Sequence, residues 1–153
     1  MAATNPPRPR VLVDADVLFA GSASPAENGA SLLILRMAEI TLIEAIASVQ
    51  VVAEVERNLE AKLPQALPAF RLIVSRCLRI VSDPEPAELV PYSGCAHPQD
   101  LPILVTARRE QCRWLVSFNV RHYRPGVPEV TVLRPGELVR RVRDLLVDLP
   151  AGM

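Results

Sequence analysis

The stretch VLVDADVLFAG, from Val11 to Gly21, decides the fold of this chain. Together with Arg10, its first residues form a short apolar run that ends at Asp14. A continuous apolar run of this kind is typical of a strand that is buried on both faces, as in a parallel sheet. Burying a carboxylate at the end of such a strand costs free energy, so the position predicts a functional role for Asp14.

Further short apolar runs follow along the chain and alternate with helical patterns. The predicted later strands are residues 42–47, 78–81, 114–117 and 130–133. The predicted helices are residues 31–40, a helix capped by Ser48 that reaches about Lys62, a helix from the Pro64 and Pro68 region to Cys77, residues 98–110, and residues 136–147. The composition of residues 21–29 and 83–98 predicts loops. This alternation predicts an α/β fold with a central parallel sheet of about five strands and helices on both faces.

A single domain accounts for the length of 153 residues. We expect residues 1–9, which are Pro-rich and polar, to form a flexible tail, and residues 10–149 to form the domain. The 17 basic and 17 acidic residues cancel, so net charge does not attract the chain to a polyanion. Any nucleic-acid site must therefore come from local clustering of charge.

The compartment can also be predicted from the composition. Three dispersed cysteines argue against a disulfide scaffold and against a structural zinc site. The opening MAATNPPRPR lacks the apolar core of a secretory signal. Arg36, Glu39 and Glu44 interrupt the most apolar region, residues 31–53, in a way that a membrane span would exclude. We expect a cytoplasmic protein that does not bind membranes.

Oxygen-bearing side chains recur where a parallel sheet would bring them together. In open α/β sheets the site lies beyond the carboxyl ends of the strands. Asp14 and Asp16 follow the first strand, Glu54 lies in the helix after the second, Asp100 begins the helix before the fourth, and Asn119 follows the fourth. Hard divalent cations prefer such oxygen ligands, and unpaired carboxylates packed together would repel one another. The sequence therefore predicts a site for Mg²⁺ or Mn²⁺.

Three segments resemble the motifs of PIN domains. VLVDADVLFAG resembles the opening motif, SVQVVAEVERNL is similar to the second, and HPQDLPILVTARREQCRWLVSFNVRHY resembles the third and fourth together. The resemblance extends from Arg10 to about Leu133. It implies a metal-dependent endoribonuclease, and because small stand-alone PIN domains are often VapC-like toxins, it implies the toxin of a toxin–antitoxin pair. The implied partners are an RNA substrate, a cognate antitoxin and a second copy of the chain in a homodimer.

Matched position by position, the resemblance gives Asp14, Glu54 and Asp100 the family's metal-binding and catalytic positions. Asp16 stands where the family often has Asn, Asp or Ser, and could instead cap the following helix. Periodicity alone does not separate Glu54 from Glu56, whereas the family spacing favours Glu54. A purely structural alternative for Asp100 is a helix cap.

Two positions depart from the family pattern. Asn119 stands where many members have a fourth acid, and could be a metal ligand or a turn residue. His122 stands where members usually have another Asp, and could be a donor to phosphate or a plain surface residue. Arg121 and Arg124 flank the predicted site and are candidates for contact with the RNA backbone.

These departures keep a second function open, namely a PIN-like module that has lost most activity and acts as a binding or regulatory protein. Two other enzyme classes are disfavoured. Haloacid-dehalogenase phosphatases also open with a DAD-like strand end, but they and receiver domains need a late Lys, and the only Lys here is Lys62.

Overall fold

The computed structural model describes residues 8–23 and 29–148, so most of the tail predicted for residues 1–9 lies outside the described residues. Five strands form one parallel sheet in the order β3-β2-β1-β4-β5. Their bounds are β1 Arg10–Val13, β2 Glu44–Ser48, β3 Leu78–Val81, β4 Trp114–Val116 and β5 Thr131–Leu133. The predicted α/β class and five-stranded parallel sheet are confirmed.

Helices connect the strands and cover both faces of the sheet. They are α1 Ala15–Ala23, α2 Gly29–Glu39, α3 Val49–Lys62, α4 Leu67–Cys77, α5 Pro86–Leu89, α6 Leu101–Arg109 and α7 Pro135–Val147. Short 3-10 turns span Pro64–Ala66, Val90–Tyr92 and Val120–Tyr123. The predicted cap at Ser48 is confirmed, because its side chain accepts a hydrogen bond from the backbone N–H of Val51 at 3.3 Å.

The strands alternate their side chains between two hydrophobic cores. In β1, Val11 and Val13 belong to one core and Leu12 to the other, and all three are buried. The first core includes residues of α1 to α4 and α7, and the second includes residues of α6 and the buried Tyr123. The inner strands β1 and β4 are thus buried on both faces and are continuous apolar runs, whereas the edge strands β3 and β5 are partly exposed.

The strand order changes direction at β1. From β1 the chain passes to β2 and then β3 on one side. It then crosses back past β1 and continues with β4 and β5 on the other side. Neighbouring connections leave the sheet in opposite directions here, which opens a crevice at the carboxyl edge between β1 and β4. Asp14 follows β1 and Ser117 follows β4 at this crevice, since Val13 pairs with Val116.

Two predicted loops are partly helical. Gly21 belongs to α1, and a Cβ at that position would lie 2.9 Å from Cδ1 of Leu35, so this glycine permits close helix packing and does not mark a turn. Residues 24–28 lie outside the described residues. In the second predicted loop, Pro86 begins α5, because proline is favoured at the first position of a helix.

The region 31–53 holds more apolar residues than one helix and one strand need, which predicts an exposed interface, but the structure leaves no such excess surface. Its large residues, among them Ile34, Leu35, Met37 and Ile43, are buried within the domain. Leu33, Ile40 and Val49 remain exposed as separate residues. Across the described ranges, no helix combines the length and apolarity that crossing a membrane requires.

Candidate active site

A cleft of about 690 Å³ opens at the carboxyl edge of the sheet, next to the point where the strand order changes direction. We call it the acidic cleft. Its lining includes five predicted residues: Asp14, Asp16, Glu54, Asp100 and Asn119. They come from four separate segments of the chain, so the fold alone brings them together.

Asp14 is held rigidly at the base of the acidic cleft, with only 7% of its surface exposed. Its Oδ1 accepts a hydrogen bond from the backbone N–H of Ala15 at 2.8 Å. Its Oδ2 accepts from the Ser117 hydroxyl at 2.8 Å and from the Tyr123 hydroxyl at 2.6 Å. These donors fix the orientation of the carboxylate before any ligand binds.

Asp16 is joined to the turn after β4 through one oxygen only. Its Oδ2 accepts from the backbone N–H of Phe118 at 3.0 Å and from the Asn119 side-chain amide at 3.2 Å. The backbone N–H of Asn119 in turn donates to the Ser117 hydroxyl at 3.0 Å. The Asn119 amide therefore serves as a donor to Asp16, and the turn is part of the site.

Glu54 lies on the cleft side of α3 and is exposed, whereas Glu56 pairs with Arg71 of α4 at 3.3 Å. The two candidates on this helix are thereby separated. Asp100 occupies the residue before α6 but makes no side-chain cap bond. Its Oδ2 lies 3.0 Å from Nδ1 of His122, and because a carboxylate can only accept, Nδ1 is the donor. His122 therefore orients Asp100 and does not itself line the acidic cleft.

The predicted arginines do not line the acidic cleft, and another arginine does. Arg121 and Arg124 are exposed and do not line the acidic cleft, whereas Arg57 of α3 does. Sequence reasoning missed Arg57, Ser117 and Tyr123. The signal for the last two was a hydroxyl directly after a buried strand and a tyrosine near the predicted site, and neither pattern reveals a bond to Asp14.

Charge repulsion and burial act on the carboxylates of the cleft. Burial raises the pKa of Asp14, although the hydrogen bonds from Tyr123, Ser117 and Ala15 oppose the rise. Burial and the neighbouring Asp14 charge raise the pKa of Asp16 to about 6. Burial also raises the pKa of Tyr123, so its hydroxyl stays protonated and remains a donor to Asp14. The folded chain therefore bears an electrostatic cost at this cleft.

The donor set fits a hard divalent cation. The Oδ1 atom of Asp16 is buried and has no hydrogen-bond partner within the described ranges, although its other oxygen accepts from the Phe118 backbone and the Asn119 amide. A cation would neutralise the carboxylates and give that oxygen a partner. No three His, Cys, Asp or Glu side chains in the described part of the chain form a ready-made ligand cluster. That arrangement suits Mg²⁺, which usually binds through one or two carboxylates and keeps several water or phosphate oxygens.

Comparison with known proteins gives one family. The family model of the PIN domain matches residues 10–121. No curated protein matches the chain significantly.

Two solved structures resemble the fold. The structure of VapBC2 from Rickettsia felis, bound to a DNA fragment from their promoter, has a TM-score of 0.61 and 17% identity, covering 82% of this chain and 98% of that chain. VapC20 from Mycobacterium tuberculosis, a sarcin–ricin loop cleaving toxin, has a TM-score of 0.56 and 18% identity, covering 78% of this chain and 98% of that chain. At these identities, the likeness shows a shared fold.

The cost of the buried carboxylates can be measured. The folded-state pKa of Asp16, about 6, exceeds the ordinary value of 3.8, so its ionisation destabilises the fold as pH rises between those values. In EDTA at pH 7.5, Asp16→Asn removes the buried charge and should raise the free energy of unfolding by about 1 kcal/mol. For a chain of this length that gain corresponds to a rise in Tm of about 3 °C, within the usual range of about 2–4 °C. At pH 4 the gain should nearly vanish. Asp144→Asn, at an exposed position of α7, is the control; an equal Tm gain in both variants would refute the effect.

Proposed function

Because this chain belongs to the PIN-domain family, we propose that it is a metal-dependent endoribonuclease and the toxin of a toxin–antitoxin pair. One observation carries the proposal: four carboxylates share one cleft, and a buried Asp16 oxygen there has no partner among the described residues. Such a cluster is costly without a cation and useful with one. The sarcin–ricin loop cleaved by the similarly folded VapC20 supports RNA as the substrate.

Mg²⁺ or Mn²⁺ would be held by Asp14, Glu54 and Asp100, one or two of them directly and the rest through water, with Asp16 and Asn119 beside them. The cation would supply water activation and neutralise charge at the phosphodiester. The chain contributes positioning: Ser117 and Tyr123 hold Asp14 in one orientation.

Other side chains would hold the RNA and the outer ligands. His122 holds Asp100 in place, and outer-shell partners of this kind tune the ligands they orient. Arg57 at the cleft, with Arg121 and Arg124 nearby on the surface, would bind the RNA backbone. No aromatic side chain lines the acidic cleft within the described ranges, so base recognition must occur outside it.

The alternative of a weakly active binding module rests on Asn119. Its amide donates to Asp16 where a fourth family acid would add negative charge, so the cleft attracts a cation less strongly. An activity test discriminates between the two functions.

Metal affinity is the first test. By calorimetry, Mn²⁺ should bind the wild type and fail to bind Asp14→Asn. Asn119→Asp should bind about tenfold more tightly, the scale on which outer ligands act, because a carboxylate replaces the amide next to Asp16. Equal affinities of wild type and Asn119→Asp would show that position 119 serves only the turn.

Cleavage is the second test. Wild type, purified free of any antitoxin, should cut single-stranded RNA internally with Mg²⁺ or Mn²⁺, and EDTA should stop it. Glu54→Gln and Asp100→Asn should each lose about 100-fold, the scale of removing one group that stabilises the transition state. Glu56→Gln is the matched control on the same helix and should keep full activity. No cutting by wild type across a broad RNA panel would favour the binding module.

Partners form the third part of the proposal. The VapBC2 assembly supports a cognate antitoxin for this chain, and we place its C-terminal segment over the acidic cleft. A separate apolar groove of about 320 Å³ lies between α2 and α4 and is lined by Leu32, Leu35, Leu72 and Ile73. We assign this groove to a helix of the second copy of the chain in the homodimer. A toxin that cuts RNA acts where RNA is, so we place the protein in the cytoplasm.

The chain without antitoxin should be a homodimer at micromolar concentration. Light scattering should give twice the chain mass, and Leu72→Glu should lower it, because Leu72 lies exposed on the apolar groove. Arg71→Glu, at the neighbouring exposed position, controls for added charge. A monomeric wild type would contradict this part without affecting the cleavage prediction.

A further inference from the structure

A second groove, of about 540 Å³, lies beside the acidic cleft. We call it the arginine groove. Its lining consists of residues 29–31, Phe118, residues 134–137 and Arg140. It therefore lies between the first turns of α2 and α7 and the turn after β4. None of these residues was assigned a role by the proposed chemistry.

Phe118 joins the two grooves. Its backbone N–H donates to Asp16 in the acidic cleft, while its side chain lines the arginine groove and is 40% exposed. The ring is therefore open to a ligand in the arginine groove. Every nucleic-acid base has a flat face that can stack on such a ring. Phe118 thus places a stacking surface one residue from the predicted metal ligands.

The charge of the groove suits phosphate. Neither Arg134 nor Arg140 has a carboxylate within 4.0 Å in the described part of the chain, whereas Arg143 on the same helix pairs with Asp144 at 3.2 Å. Glu137 is the acidic residue of the lining, and its carboxylate accepts from the backbone N–H of Arg134 at 3.2 Å. That carboxylate bonds the backbone at the start of α7 and pairs with neither arginine among the described residues, so both guanidinium groups can bind an anion.

Ser31 is a second, independent feature of the groove that points to a polar ligand. Its side chain lines the groove, yet the residue is only 1% exposed and its hydroxyl has no hydrogen-bond partner within the described ranges. Leaving a buried hydroxyl unpaired costs free energy, which a hydrogen bond to a ligand oxygen would recover. The first turn of α2, at the same place, carries the partial positive charge that a helix N-terminus presents to anions.

We propose that a single strand of RNA leaving the acidic cleft continues through the arginine groove. The nucleotide beside the cut stacks on Phe118, and the next phosphate lies against Arg134, Arg140 and the Ser31 hydroxyl. This rests on the proposed ribonuclease function and adds to it the path of the strand. It also implies that recognition is tolerant of sequence, because stacking and phosphate contacts do not distinguish bases.

Binding without cleavage tests the path. A fluorescent single-stranded RNA of mixed sequence is titrated in EDTA and followed by anisotropy. Phe118→Ala should weaken affinity about tenfold, as expected for loss of one stacked base. The double variant Arg134→Ala, Arg140→Ala should weaken it and reduce the salt slope by about 0.7, the value for one phosphate contact on a single strand. Arg143→Ala, on the same helix, is the matched control and should bind like wild type.

Gly136 allows a test that does not threaten the fold. A Cβ there meets no atom within 4 Å, and the position lies in the first turn of α7, where an acidic residue favours the helix. Gly136→Glu should keep or raise Tm and weaken RNA binding at least about tenfold by repulsion. Gly136→Gln has nearly the same size without the charge and should retain most of the affinity.

Each outcome decides between the two proposals. If wild type binds and cuts RNA while the groove variants bind as tightly as wild type, the path is wrong and the ribonuclease function stands. Equal losses in Arg143→Ala and the groove variants would mean diffuse attraction and would also overturn the path. If the groove variants release a copurifying protein but keep RNA affinity, the groove is a protein surface. A wild type that neither binds nor cuts RNA overturns both proposals.

Discussion

The structure depends most on the hydrogen bonds that join the end of β1 to the segment after β4. Asp14 accepts from Ser117 and Tyr123, and Asp16 accepts from the backbone of Phe118. The partners are separated by about a hundred residues of chain, and parallel pairing of β1 with β4 brings them within reach. The same bonds place the carboxylates and set the turn that presents Asn119 and Phe118. Fold and proposed chemistry thus share one set of contacts.

The buried polar groups at this junction lower the free energy of unfolding. Burial raises the pKa of Asp14 and Asp16, the Asp14 charge raises that of Asp16 further, and the Oδ1 atom of Asp16 lacks a partner in the described part of the chain. Ser31 is a second buried polar group without a partner there. Elsewhere the buried side chains are overwhelmingly apolar, in two cores on either face of the sheet. Buried polar atoms without hydrogen-bond partners next to two grooves are typical of ligand-binding sites, where a ligand supplies the partner.

The sequence was sufficient for the architecture because buried parallel strands are short apolar runs with a distinct pattern. It also predicted which acids share a cleft, since parallel strands end at one edge. Helix ends were less predictable: Gly21 suggested a turn, although it serves close packing against Leu35. No periodicity or motif in the sequence predicts the hydrogen bonds from Ser117 and Tyr123 to Asp14. The pairing of His122 with Asp100 depends on how a loop folds back, which no local pattern encodes.

The central claim is that the carboxylates at this junction hold a divalent cation. Anomalous diffraction from crystals soaked in Mn²⁺ tests it most directly, because the signal locates the ion without assuming any activity. We expect one strong anomalous peak in the acidic cleft, from an ion bonded to an oxygen of Asp14 or Asp16. Full occupancy elsewhere, with the acidic cleft free of anomalous signal at saturating Mn²⁺, would contradict it.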